Sequence, residues 1–327
     1  MHQLDAFAAD ATLYAQWTAN SNAVAYNANN GSGAPAGGNY SFGSTVTVSN
    51  TAPTRTGYTF LGWNTAADGT GTNYSAADTF SMPNGSVTLY ARWSILQKTL
   101  TYDANGGAGV DAAANYNYGA TVTVSTTQVT RSGYSFIGWN TMADGSGTTR
   151  AASSTFTMPA TDVTLYAIWS INAYTVYYNM NGGTGSVNSQ PGNYGTNITV
   201  SSTVPTRVGF TFSGWNTLAA GNGTDHTGGG TLTMPASNVT LYAKWTAIQY
   251  SISYNANGGS GSPADATGLT AGTSTSLSGV TPNQTGYVFN GWNTAANGSG
   301  QTYAAGQNYV VPASNTVLYA QWVANTY

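Results

Sequence analysis

Apolar and polar positions alternate along four nearly identical segments of the chain. In Val87–Trp93, residues Val87, Leu89, Ala91 and Trp93 fall on one face of an extended strand, and Thr88, Tyr90 and Arg92 fall on the other. The position of Arg92 is held elsewhere by Ile168, Lys244 and Gln321, a tolerance that marks the outer face and makes the Trp face the core. Other segments alternate in the same way. A first strand is predicted at Ala173–Asn179, and Thr/Val strands at Thr45–Val48, Thr121–Val124, Asn197–Val200 and, more weakly patterned, Thr275–Ser278. Between them lie Asn105-Gly106-Gly107, Asn181-Gly182-Gly183 and Asn257-Gly258-Gly259, with Asn29-Asn30-Gly31 in the first copy. Such residues supply the positive φ that tight turns require. Pro53-Thr54-Arg55-Thr56-Gly57 predicts a turn or short helical bend leading into a strand that ends at Trp63-Asn64, and Ala66–Gly71 reads as a Gly-rich turn. The fold class predicted is mainly β, α+β at most.

The tryptophans give the period. Trp17, Trp93, Trp169, Trp245 and Trp322 are spaced by 76, 76, 76 and 77 residues, and Trp63, Trp139, Trp215 and Trp292 by 76, 76 and 77. All nine belong to one series or the other, so the chain is a tandem array. The units read as 18–93, 94–169, 170–245 and 246–322. Residues 1–17 match only the closing strand of such a unit, and 323–327 look like the start of a further strand. All nine Trp are expected to be structural core, since a unit of roughly 76 residues buries little and depends on its large aromatics. The outward Tyr14, Tyr90, Tyr166, Tyr242 and Tyr319 form a repeated candidate contact surface.

Composition narrows the function classes. Only 5% of residues are charged, with seven Lys and Arg against ten acids, all of them Asp. Typical soluble domains carry about 25%, so Asn, Ser, Thr and Gly must keep this surface wet. The basic residues are scattered, which argues against the clustered phosphate neutralisation of nucleic-acid binding and against an anionic membrane surface. No apolar run approaches the length of a membrane span. Without Cys there is no disulfide, thiolate metal site or Cys nucleophile.

Gly-Tyr-x-Phe-x-Gly-Trp-Asn-Thr, followed by a Gly-rich turn and Met-Pro-Ala-x-x-Val-Thr-Leu-Tyr-Ala-x-Trp, resembles the Listeria–Bacteroides repeat, the family that includes the internalin B-repeat. The resemblance covers four full copies and one partial copy. It implies a compact β-grasp-like module strung along bacterial surface proteins, with a role in adhesion or in holding another domain away from the cell. The fourth copy departs from the pattern, with Pro282-Asn283-Gln284 and Val311-Pro312.

Candidate chemistry is sparse. Asp68-Gly69-Thr70-Gly71 and Asp144-Gly145-Ser146-Gly147 fall short of the six to eight oxygens that calcium takes, and the third and fourth copies offer Asn222 and Asn297 instead. The Gly runs lack the Lys-Ser/Thr of a phosphate loop. His226 occurs in one copy, and no His, Asp or Lys recurs in all four, so no catalytic residue, cofactor or metal ligand is assigned and the chain is expected not to be an enzyme. Arg55, Arg131 and Arg207 recur and are expected to donate to turn carbonyls, since neutral Gln284 replaces them. Two Lys cannot supply isopeptide staples to every unit.

The function expected is an extracellular, non-enzymatic adhesive or spacer stalk of the bacterial cell surface. A self-assembling filament or surface-layer subunit and a glycan-binding module are the alternatives. Partners would be other surface proteins, glycans or copies of the chain itself, with no nucleic acid and no membrane insertion. Residues 11–17 are expected either to add to the 18–93 unit as an edge strand or to pair with another molecule.

Overall fold

The computed structural model describes Thr12 and residues 14–326. Those residues contain strands, turns and loops and no helix. In the first copy the strands are β1 (Ser21–Asn27), β2 (Gly38–Ser41), β3 (Thr45–Thr47), β4 (Tyr58–Asn64), β5 (Asn73–Tyr74), β6 (Thr79–Ser81) and β7 (Val87–Ile95). Five of them form one sheet in the order β2-β1-β7-β4-β5, and β3 pairs with β6 as a separate ribbon. The first and last strands are parallel neighbours, with Val24 beside Val87 and Asn27 beside Tyr90, whereas β4 runs antiparallel to β7 with Phe60 opposite Trp93. The same sheet order and the same ribbon recur in the other three copies. This is the all-β, tandem arrangement of small repeats expected from the alternation, with the predicted strand–turn–strand frame realised at β4 and no helical bend before it.

The turns follow from residue chemistry. Asn29, Asn105, Asn181 and Asn257 take φ of 47°, 48°, 51° and 53°, a left-handed conformation that Asn tolerates better than most residues. In the first three copies this ribbon strand ends one residue earlier than its pattern suggests, as at Thr45–Thr47, and in the fourth it lies at Ser274–Ser276, starting one residue early and ending two early. Val48 is buried all the same, its N–H bonded to Asp78 O at 2.8 Å beyond the ladder.

Each copy has its own core between sheet and ribbon. In the first, Val24, Val46, Val48, Trp63, Met82, Leu89 and Ala91 are buried together, flanked by Tyr26, Phe60 and Trp93. The Trp63 indole takes the Tyr26 and Phe60 rings edge-on at 4.8 and 5.2 Å. Corresponding clusters form around Trp139, Trp215 and Trp292.

The chain divides into two compact units, one holding the first two copies and the other the last two, except that Ser132–Ser135 group with the second. Within the first unit a single residue, Leu96, separates β7 from the next strand, Gln97–Asp103. Its N–H bonds Gly57 O at 2.9 Å, and its carbonyl accepts from Tyr118 N at 2.8 Å. Within the second unit Ile248 N bonds Gly209 O in the same way, at 2.9 Å.

Two expectations about the ends need correction. Trp17 is 91% exposed rather than core, and Tyr14–Trp17 carry no strand, so their alternation has no sheet in which one face could be buried. The proposed strand at 11–17 also includes Ala11 and Leu13, which lie outside the described residues. Val323 and Ala324 do not open a further strand. They finish the closing strand Thr316–Ala324, opposite Val288 and Tyr287, because that strand runs two residues past its Trp; Tyr327 lies outside the described residues.

Candidate functional site

The most heavily bonded polar groups sit where the Gly-rich loop leaves β4. Asn64 is fully buried and its side chain clamps the loop from within. Its Nδ2 donates to Gly69 O, Gly71 O and Asn73 Oδ1 at 3.2, 3.0 and 2.7 Å, and its Oδ1 accepts from Ala66 N and Gly71 N at 2.7 and 3.1 Å. Asn140, Asn216 and Asn293 are buried in the same role. At the tip, Asp68 Oδ1 accepts from Thr70 N and Thr70 Oγ1 at 3.0 and 2.7 Å, and those bonds hold its carboxyl below the usual carboxylate range. One carboxylate oxygen of each of the two turn acids, Asp68 and Asp144, is thus engaged in turn bonds. Among the described residues no three His, Cys, Asp or Glu gather as metal ligands do.

A second clamp joins the Asn-Gly turn to this loop. Asn29 Nδ2 donates to Ala67 O and Ala91 O at 2.9 and 3.0 Å, and the same pair of bonds recurs from Asn105, Asn181 and Asn257. Trp93 Nε1 donates to Ala28 O and Asn29 O, both at 3.0 Å. The pattern of the sequence identified these Asn only as turn formers, although their strict recurrence 12 residues after the preceding Trp17, Trp93, Trp169 and Trp245 was a readable signal.

The two Trp series therefore differ. Trp63, Trp139, Trp215 and Trp292 are at most 1% exposed. Trp93, Trp169, Trp245 and Trp322 are half-buried at the rim, each with its indole N–H on a turn carbonyl. Tyr90, Tyr166, Tyr242 and Tyr319 lie on the outer face but are half-buried too, because their strand is the middle one of five. Tyr14 is 81% exposed.

The recurring arginines divide similarly. Arg131 Nη1 and Arg207 Nη1 donate to the turn carbonyls of Asn105 and Asn181 at 3.2 and 3.4 Å, the structural role expected. Arg55 stacks with its Cζ 3.7 Å from the Tyr58 ring centre, as Arg207 does over Phe210 at 4.0 Å, but without the turn-carbonyl bond. His226 pairs with Trp215 on the short strand Asp225–His226. Beside it, Asp225 binds Lys244 Nζ at 2.7 Å and Asn216 Nδ2 at 2.5 Å, an ion pair not anticipated from the pattern. Two kinds of surface cleft stand out. A shallow one of about 770 Å³ follows Val204–Phe212 beside Trp245, and a polar one of about 320 Å³ in the first copy is lined by Arg55, Asp68, Arg92 and Trp93.

Comparison with known proteins agrees with this repeat. The chain is 35% identical over 300 residues to a protein of Evansella cellulosilytica named as a Gly-rich membrane protein, covering 88% of this chain and 33% of that one. A second protein of the same organism, named as a membrane protein, is 32% identical over 321 residues, 96% of this chain and 45% of its own length. Internalin H of Listeria monocytogenes is 36% identical over 121 residues, 37% of this chain and 20% of the internalin. The chain thus spans less than half the length of each. No helix among the described residues is long and apolar enough to cross a membrane. The Listeria-Bacteroides repeat domain matches residues 23–92, 99–168, 174–244 and 250–321, and the chain belongs to that family.

Proposed function

We propose that this chain is a non-enzymatic, extracellular spacer of a bacterial surface protein, four modules in series that hold a functional segment away from the cell and offer a contact face along the way. The observation that carries the reading is that every copy has a closed core of its own, while one residue joins consecutive strands at Leu96 and at Ile248. Independent cores with connectors too short to act as free hinges favour extension over collapse. The names of the relatives, two membrane proteins and an internalin, support placement at the cell surface. The half-buried outer tyrosines Tyr90, Tyr166, Tyr242 and Tyr319 are the proposed contact face, for other surface proteins, glycans or further copies of the chain.

Small-angle scattering of the chain in dilute solution tests the spacer reading. Four compact units in line should span on the order of 100–130 Å. A radius of gyration near the roughly 20 Å of a single globule of this length overturns it. Concentration-dependent growth into polymers would favour the filament alternative, for which low net charge provides the physical opening.

A further inference from the structure

The polar cleft of the first copy holds two of the chain's five arginines. Arg92 rises from the middle of β7, opposite Gly62, and Arg55 comes from the bend before β4, backed by the Tyr58 ring. Both are half-buried. Among the described residues neither donates a hydrogen bond, and the only ion pair is Lys244–Asp225. Half-buried guanidinium groups without acceptors forgo the charge-assisted bonds that Arg forms best, in forked geometry with a carboxylate.

The rest of the cleft is complementary in the opposite sense. Both bonds to Asp68 fall on Oδ1, which leaves Oδ2 free to accept. Asn29 spends its Nδ2 on two carbonyls, which fixes the amide orientation and leaves Oδ1 without a donor. Leu61, 49% exposed, and the rim of Trp93 add apolar surface. Two cationic forks, two free acceptors and an apolar patch match a molecule that carries a carboxylate, several hydroxyls and a C–H face. The volume of about 320 Å³ lies within the roughly 300–1,000 Å³ of small-ligand clefts.

The other copies show what the position looks like without this role. Where the first has Arg92, the second has Ile168; the third has Lys244, whose ammonium is taken by Asp225. In the fourth, Gln321 Nε2 turns back onto Ala295 O and Tyr319 O at 3.4 and 3.3 Å, and Gln284 stands in for Arg55.

We propose that the first repeat binds an acidic sugar, a hexuronate unit of a larger glycan, in the cleft between Arg55 and Arg92. The sugar carboxylate meets the guanidinium forks, and its hydroxyls donate to Asp68 Oδ2 and Asn29 Oδ1. The site goes beyond the spacer reading and stands whether or not the array is extended. Because the chain is net negative, with a formal charge of −3, attraction of an anion has to come from this local pair.

The test is titration of the full chain with trigalacturonic acid, followed by NMR chemical shifts and calorimetry. The neutral galactose trisaccharide and a triglutamate peptide run alongside. Arg55→Gln and Arg92→Gln copy residues that the fourth repeat already carries, and thermal unfolding verifies that each variant is folded. Saturable binding at one site, with shifts centred on the first repeat, is expected. Either substitution should weaken it at least about tenfold, the equivalent of one charge-assisted hydrogen bond, and added salt should weaken it further. Absence of saturation, equal binding of the neutral sugar, or unchanged affinity in the folded double variant overturns the site. Tighter binding of triglutamate overturns the sugar assignment.

Discussion

The indole of Trp169 lies directly on Gly107, so that a β-carbon on that glycine would sit 2.6 Å from Trp169 Cζ2 and 2.6 Å from Thr130 O. The glycine after the Asn-Gly turn is there because the closing Trp and a backbone carbonyl occupy the space of a side chain. Gly107→Ala should therefore cost about 1–3 kcal/mol, as overpacking does, read from urea unfolding of the second repeat. Gly119→Ala is the control, a glycine at φ 77° with open space around it, where only backbone strain acts. An equal cost at both sites would remove the indole contact as the cause.

Trp139 is 1% exposed, and its Nε1 forms no hydrogen bond, so what it contributes is packing against Tyr102 and Phe136 at 4.7 and 5.2 Å. Trp139→Ala should cost about 3–5 kcal/mol. Hydrogen exchange should show the second repeat opening while the core around Trp292 keeps its protection. A variant that stays fully protected throughout would contradict the assignment of this residue to a core.

Asn64 should be hard to replace although it touches no ligand. Asn64→Ala leaves Gly69 O and Gly71 O without their donor, at about 1–3 kcal/mol for buried groups stripped of partners. The loop at 66–71 should gain exchange rate before β4 does. If that loop remains as protected as in the parent chain, the clamp is not what orders it.

The third repeat should respond to acid through Asp225. The bond from Lys244, followed by that from Asn216, holds its carboxyl below the ordinary value of 3.8. A lowered folded value means that the contribution is present above pH 3.8 and is lost as pH falls through the folded value. The carboxylate is exposed, so salt should screen the effect. Asp225→Asn should flatten the acid limb of stability for this repeat only. Burial raises Tyr102 and Tyr178 above 10.0, and their contribution is present below pH 10 and lost as pH climbs past it. Tyr303 is raised by burial in the same way, so phenolate absorbance should show a fraction that ionises late, together with unfolding; replacing Tyr102 and Tyr178 by Phe without shrinking that fraction would refute the burial.

Much of this architecture is legible in the chain because two Trp per repeat and strict alternation near Leu89 leave few ways to bury a face. What alternation cannot tell is depth. Trp63 and Trp93 carry the same letter, yet one fills the centre and the other caps a turn, because β4 enters under the ribbon while β7 runs on to Ile95. Alternation also places Tyr90 on the outer face without revealing that β1 and β4 flank it. That Arg55 and Arg92 line one cleft was not legible at all, since residues 37 apart are brought to it only through the register of Gly62 against Arg92.

The parallel contact between β1 and β7 has a mechanical consequence. A pull on the two ends of the first repeat drags Ser21–Asn27 and Val87–Ile95 in opposite directions along their shared ladder, from Val24 beside Val87 to Asn27 beside Tyr90. Those bonds are loaded in shear and must fail together, whereas a hairpin with free ends would peel one bond at a time. Forced extension is governed by the unfolding rate. Single-molecule stretching of the chain should therefore give discrete, evenly spaced rupture events, one per repeat, and a smooth low-force extension would show that the ladder bears no load. A tether built from such modules holds its length under drag and yields stepwise when overloaded.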